Sequence, residues 1–334
     1  MNIAIIGGTG FIGGRVTAQL AELGHKVMVF HRGARELKAS PGVAVLLGER
    51  GNLSSFAGEF HRFNPDVVVD VIGYSRRDAR ELVATFKDSR ARLVVLSSAD
   101  VYRNRSGIFG ITESPPDPVP LGEDSPLRTH LYPYADHATE FDRETAYEKI
   151  GVEETVRSGL PGRATILRIC AVYGPGDQQR RLWPYLKRML DQRPFILIER
   201  GQATWQWTRG YVENIAAAIA VAALNDRGRG EIYNVGEAEA TNEVEWIARI
   251  AEVLAWKGRV IPLPSEKLPA HLRTTLNWSY GLAMSTQKIR STLGFKERVP
   301  LGLAMRRTIE WESRNPPAAA DPKLFDYSAE DGAA

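Results

Sequence analysis

Residues 1–14 read MNIAIIGGTGFIGG, and the rest of the chain is placed by reference to them. Asn2 to Ile6 is a short, isoleucine-rich apolar run that reads as a buried strand. Gly7-Gly8-Thr9-Gly10-Phe11-Ile12-Gly13 follows at once. From Arg15 to Leu23, Val16, Leu20 and Leu23 recur at helical spacing, and Gly24 stops the run. Strand, glycine turn and helix together spell the start of a dinucleotide-binding unit. Gly7 permits the tight turn, Gly10 lets the backbone approach a pyrophosphate, and Gly13 lets the helix pack close to the strand. Thr9, Phe11 and Ile12 complete the turn and join the cofactor contacts. The free N–H groups and positive dipole end of the helix face the phosphates. The alternative is a glycine-rich turn without a ligand; the position between strand and helix argues against it.

Outward from this turn, Lys26 to Phe30 is a second strand, whose end reads the adenosine ribose. An acid there accepts the ribose hydroxyls of NAD. This chain offers His31-Arg32-Gly33, with Arg35 beyond. A guanidinium suits a 2′-phosphate, so Arg32 favours NADP(H). A basic loop that tolerates either cofactor keeps NAD(H) open. Val43 to Leu47 is a third strand ending in Gly48-Glu49-Arg50, and Asp66 to Ile72 a fourth ending at Gly73. Leu93 to Ser97 is a fifth, ending at Ser98, with helices near 53–62 and 76–88. The alternation predicts an α/β, Rossmann-type, doubly wound parallel sheet with its ligand across the carboxyl ends of the strands. Gly7, Arg32, Glu49, Gly73 and Ser98 then share one edge, and Ile72, Ser97 and Cys170 join the expected cofactor contacts.

Residues 106–136 break the rhythm with a proline-rich, aperiodic excursion, either a substrate loop or a passive connector. A helix is expected from about Thr139 to Ser158, and a sixth strand from Ala164 to Val172, closed by the turn Tyr173 to Asp177. Helices are expected at 184–192, 212–224 and 243–257, and a short strand at 231–235. The tail from Arg314 is expected to dock as extended chain. This divides the chain into a dinucleotide-binding domain, 1–172, and a smaller substrate lobe, 173–334, with 208–235 returning to the first.

Composition excludes several classes. The 334 residues suffice for one large α/β domain or two lobes. At 43% hydrophobic and 25% charged, the chain is ordinary for a soluble globular protein. A net charge of +3 without a Lys/Arg run gives no reason to expect nucleic acid. Cys170 is the single cysteine and excludes an internal disulfide. The first apolar run ends in the glycine turn, so neither signal peptide nor membrane span is expected, and the cytoplasm is the expected location. No metal-ligand spacing is present.

With these motifs in order, the chain resembles the extended short-chain dehydrogenase/reductases, the NAD-dependent epimerase/dehydratase family, from Asn2 to about Trp311. GGTGFIG at 7–13 matches the family's GxxGxxG turn. LVVLSSADVY at 93–102 is similar to its fifth strand and Ser/Thr segment, and LRICAVYGPGD at 167–177 to its sixth strand and YGP turn. TRGYVENIAAAI at 208–219 and YNVGEAEATNEVEWIARI at 233–250 resemble the segments around its substrate pocket.

The resemblance implies hydride transfer, as epimerase (an isomerase) or reductase, on a sugar-like or polyol-like hydroxyl or carbonyl. In the family a Ser/Thr and a Tyr bind the reacting oxygen. A Lys four residues after the Tyr holds the nicotinamide ribose and lowers the phenol's pKa. Ser98 falls at the Ser/Thr position, where a helix-capping serine is the alternative. Asp100 falls where some dehydratases carry an acid; a structural loop aspartate is equally open. Lys149 falls at the Lys. Thr145 stands where the Tyr belongs, and a threonine hydroxyl does not replace a phenol as acid/base. Tyr147, two residues from Lys149, is expected about 200° away on a continuous helix and so off the site. Asp100, Tyr102, Tyr132, Tyr134, Asp136 and His137 are the candidate substitutes. Ala171 replaces an Asn common in sugar-nucleotide members. Trp205 and Trp207 form either a stacking wall for a substrate ring or a half-buried packing strand. The alternative function is dinucleotide binding without turnover, as a sensor, scaffold or RNA-binding relative. A homodimer is expected by analogy alone.

Overall fold

The computed structural model describes residues 1–34, 42–134, 146–317 and 322–334. Thr145, Arg35, Asp136 and His137 lie outside them. β1 (Asn2–Ile6), β2 (Lys26–His31), β3 (Val43–Leu47), β4 (Val67–Asp70), β5 (Arg92–Ser98) and β6 (Ala164–Ile169) follow in sequence. With Ile232–Val235 they form a parallel seven-stranded sheet, ordered Ile232–Val235, β6, β5, β4, β1, β2, β3. Because every strand runs the same way, all their carboxyl ends share one edge, as the sequence predicts.

Strand geometry sends successive side chains to opposite faces. Ile3, Ile5, Val67, Val69, Val94 and Leu96 point one way and pack with Val16 and Leu20 of α1 (Gly13–Glu22) and with Ile215 and Ile219 of the helix Val212–Leu224. Ala4, Ile6, Val68, Leu93 and Val95 point the other way. They meet Phe60 of α2 (Ala57–Phe63), Leu82 and Phe86 of α3 (Arg76–Phe86), and Val152 and Val156 of a helix starting at Lys149. Burial on both faces explains why these strands are unbroken apolar runs. β3 is the edge strand, and there Val45 and Leu47 stay exposed.

Two expectations are corrected here, and one open choice is decided for packing. The run Ala164 to Val172 is two strands. Cys170 N–H donates to Val235 O but Ala171 N–H donates to Thr208 O, so the chain changes partner between them. β7 (Ala171–Tyr173) then pairs with Arg209–Tyr211. The tail docks as Pro322–Phe325, a 3-10 turn, and the helix Tyr327–Asp331, not as extended chain. Its buried Glu330 carboxylate accepts from Arg188 Nε at 3.1 Å and sits 3.0 Å from His271 Nε2. Trp205 and Trp207 are a packing pair. The Trp205 indole donates to Tyr280 O, and its ring lies 5.2 Å from Trp207 and 5.2 Å from Trp278. Among the described residues, no helix is long and apolar enough to cross a membrane.

Candidate active site

The glycine turn has the form a pyrophosphate site needs. Gly7 sits at φ +87°, a region other residues avoid. A Cβ on Gly13 would lie 2.1 Å from Gly7 O, so only glycine lets α1 start there. A Cβ on Gly10 would find nothing nearer than 3.7 Å, which leaves its outer side approachable. Ile12 caps α1 with no side-chain hydrogen bond, and no acid occupies the first turn. Gly14 N–H and Arg15 N–H donate to Gly10 O and Ile12 O, while the N–H groups of Phe11, Ile12 and Gly13 are left for an anion. These residues fit a dinucleotide.

At the neighbouring strand ends, Ile72 packs against Gly7, and its N–H donates to Asp70 Oδ1 at 3.2 Å. His31 is buried, and its Nδ1 accepts from Gly33 N–H at 3.2 Å. Burial lowers its pKa, so the imidazole is neutral near pH 7. Arg32 and Glu49 are exposed at the ends of β2 and β3.

The reaction edge is set by a buried ion pair. Glu148 takes Arg128 in a fork, Nη1 at 2.9 Å and Nη2 at 2.8 Å, with both side chains fully buried. The same carboxylate accepts from Tyr132 N–H at 2.6 Å and Ile150 N–H at 2.9 Å. Glu148 is thereby fixed as a helix cap, with φ −154° and ψ 90°. That helix, α4, therefore runs Lys149–Gly159, and the helix expected from Thr139 is not continuous through 146–148.

This overturns the helical-wheel placement of Tyr147. In extended chain, residues two apart share a side, so Tyr147 and Lys149 turn toward the same edge. Lys149 Nζ lies 5.9 Å from the Tyr147 ring centroid and 4.9 Å from that of Tyr74. It donates to Gly73 O at 2.7 Å and Leu96 O at 2.8 Å. Burial pushes this ammonium down to about 8, against the pull of Asp70 and Asp78.

The Tyr147 hydroxyl donates to Asp100 Oδ2 at 3.2 Å and shares a hydrogen bond with Ser98. Burial first, and the Asp100 charge second, raise its pKa well above 10, so it is a neutral phenol at rest. Ser98 touches this phenol, and its Oγ also accepts from Asp100 N–H at 3.1 Å as a cap. Asp100 Oδ2 also accepts from the Tyr134 hydroxyl at 3.1 Å, and Oδ1 from Arg105 Nε at 3.0 Å. Two phenols, a serine, a carboxylate and an ammonium thus converge where β4 and β5 end. Such a group can bind an oxygen and move its proton.

Other expected site residues lie elsewhere. Tyr102 is fully buried and donates to Asn234 Oδ1 at 2.6 Å, while Arg168 donates to its oxygen at 3.2 Å. It is a core phenol, out of reach of substrate. Ser97 points away from the site and donates to Glu153 Oε1 at 2.5 Å. The Cys170 side chain packs on Gly210 and Gly236, and burial raises its thiol pKa, so it is a packing group. Tyr132 contributes a backbone N–H, with its ring exposed.

The fold and this edge define a dinucleotide-binding protein of the Rossmann type. The sequence model of the NAD dependent epimerase/dehydratase family matches residues 3–236, and the chain belongs to that family. A probable dTDP-glucose 4,6-dehydratase of Sinorhizobium fredii is 23% identical over 94% of this chain and 93% of its own length. NADH dehydrogenase [ubiquinone] 1 alpha subcomplex subunit 9 of Arabidopsis thaliana is 25% identical over 78% of this chain, which spans only 60% of that relative. Among solved structures, the UDP-glucose 4-epimerase of Thermotoga maritima with UDP-glucose superposes with a TM-score of 0.66. It is 17% identical over 94% of this chain and 99% of its own. The dTDP-glucose 4,6-dehydratase of Bacillus anthracis in complex with NAD gives 0.65, at 17% identity over 94% and 97%. These structural likenesses speak for the fold.

Proposed function

We propose that the chain is an oxidoreductase or epimerase that moves hydride between a nicotinamide cofactor and a carbinol or carbonyl carbon of a sugar-like substrate. The observation that carries this reading is the contact of Ser98, Tyr147 and Asp100 beside Lys149 at the carboxyl edge of the sheet. Ser98 and Tyr147 hold the reacting oxygen. Lys149, buried and tied to two carbonyls, orients the nicotinamide ribose. A bound nicotinamide supplies the hydride acceptor or donor. Tyr147 gives or takes the hydroxyl proton, with Asp100 behind it.

For the cofactor, exposed Arg32 beside neutral His31 supports acceptance of a 2′-phosphate, hence NADP(H) besides the NAD(H) of the family. Arg32→Ala is expected to weaken NADP(H) about tenfold and leave NAD(H) nearly unchanged in binding titrations. Equal weakening of both would refute the phosphate-reading role.

The test of the main reading is nicotinamide absorbance on incubation with a panel of nucleotide sugars, polyols and ketones, with Ser98→Ala as control. Turnover lost in the variant is expected. A second reading, cofactor binding without turnover, is favoured by the likeness to a relative named as a subunit of NADH dehydrogenase. Tight cofactor binding with no turnover over the whole panel would select it.

A further inference from the structure

The hydrogen bonds around Asp100 run toward its carboxylate. Arg105 has no lone pair, so its Nη2 donates to the Tyr134 oxygen, at 2.8 Å. Tyr134 sends its own proton to Asp100 Oδ2, at 3.1 Å. Tyr147 sends its proton to the same oxygen, at 3.2 Å. Arg105 is itself held in place, with Nε on Asp100 Oδ1 at 3.0 Å and its guanidinium 4.0 Å over the Phe109 ring. The two phenol rings meet edge to face, 5.3 Å between centroids. Lys149, by contrast, has two of its three N–H groups on Gly73 O and Leu96 O.

We propose that Asp100, Arg105 and Tyr134 form a proton relay behind Tyr147, so that a carboxylate braced by a guanidinium and a second phenol, not the lysine, takes and returns the Tyr147 proton. The proposal rests on the hydride-transfer reading. As a substrate alcohol is oxidised, its hydride passes to the nicotinamide ring. Its hydroxyl proton passes to the Tyr147 oxygen, and the Tyr147 proton passes to Asp100 Oδ2. In reduction the same protons run back. Arg105 balances the carboxylate charge while Asp100 is ionised, and Tyr134 is a positioning residue. Because Tyr134 lies on the proline-rich excursion and the other members do not, docking of the excursion completes the relay.

The experiment has two arms. In the first, Tyr134→Phe removes one of the two hydroxyls that stabilise the charged carboxylate. The acidic limb of the kcat–pH profile should move upward by about one pH unit, with kcat reduced about tenfold and cofactor affinity unchanged. An unmoved limb in a folded variant overturns the relay, whatever happens to kcat. The second arm needs no turnover. Phenolate absorbance is followed during alkaline titration of wild type and Asp100→Asn. Removing the charge should bring one or two half-buried tyrosines to ionise at lower pH, because Asp100 raises both Tyr134 and Tyr147. Identical titrations overturn the relay even if no substrate is found. Turnover in wild type with no effect in either arm refutes the relay alone and leaves hydride transfer standing.

Discussion

The glycine turn at 7–13 and the reaction edge at 98–105, 134 and 147–149 are built from opposite materials. The turn has no ionisable side chain. Its shape comes from missing Cβ atoms and free backbone N–H groups: Gly13 is set by the Gly7 carbonyl close by in sequence, and Gly7 by Ile72 on the neighbouring strand. The edge is made of charges and phenols gathered from three stretches of chain and tied together by hydrogen bonds across them. The difference teaches where each region is vulnerable. The turn fails when an atom is added. The edge is costly when intact, because its Lys149 ammonium is buried.

The largest expected effect breaks the turn. In Gly13→Ala the new Cβ would sit 2.1 Å from Gly7 O, a backbone atom that cannot swing aside. Dinucleotide affinity should fall more than about a hundredfold, the scale of a strand–helix junction forced apart. Calorimetric binding of NAD(H) checks this, and near-normal affinity would mean that the turn is not the pyrophosphate cradle.

A smaller effect sharpens the other side. Lys149 is held near 8 against an ordinary 10.5, through burial. That gap amounts to about 3 kcal/mol of cost while the ammonium is charged. The sign follows from proton counting. Between about pH 8 and 10.5 the unfolded chain holds more protons than the folded one, so this contribution to stability rises with pH. In Lys149→Met that rise disappears. Gly73 O and Leu96 O lose their donor in the variant, but this offset does not depend on pH. Denaturant unfolding at pH 7 and at pH 10 should therefore show wild type gaining on the variant by about 2–3 kcal/mol. Parallel pH dependence would contradict a costly buried ammonium.

The contrast also explains what the sequence could say. β1, β4 and β5 read directly, because burial on both faces needs consecutive apolar residues, and Gly7, Gly10 and Gly13 read from their spacing. Ser98, Asp100 and Lys149 were legible through the family resemblance. Tyr134 was legible as one of several aromatic candidates in the excursion. Tyr147 was not, since its placement depends on where a helix begins. Glu148 starts that helix through an ion pair with Arg128, twenty residues earlier. Glutamate is an uncommon cap, and nothing local in YEKIG marks the break. The roles of Tyr102, Ser97 and Cys170 failed for the same reason. Their partners Asn234, Glu153 and Gly236 are far away in sequence.

The central claim is that Tyr147 supplies the phenol which the residue four before Lys149 does not. Its most direct test is Tyr147→Phe, assayed by nicotinamide absorbance with a turned-over substrate and, separately, by NAD(H) binding. kcat should fall about a thousandfold, the usual scale for losing a positioned acid/base group, with cofactor affinity unchanged. Activity within a few-fold of wild type would contradict it and return the search for the proton carrier to the rest of the edge.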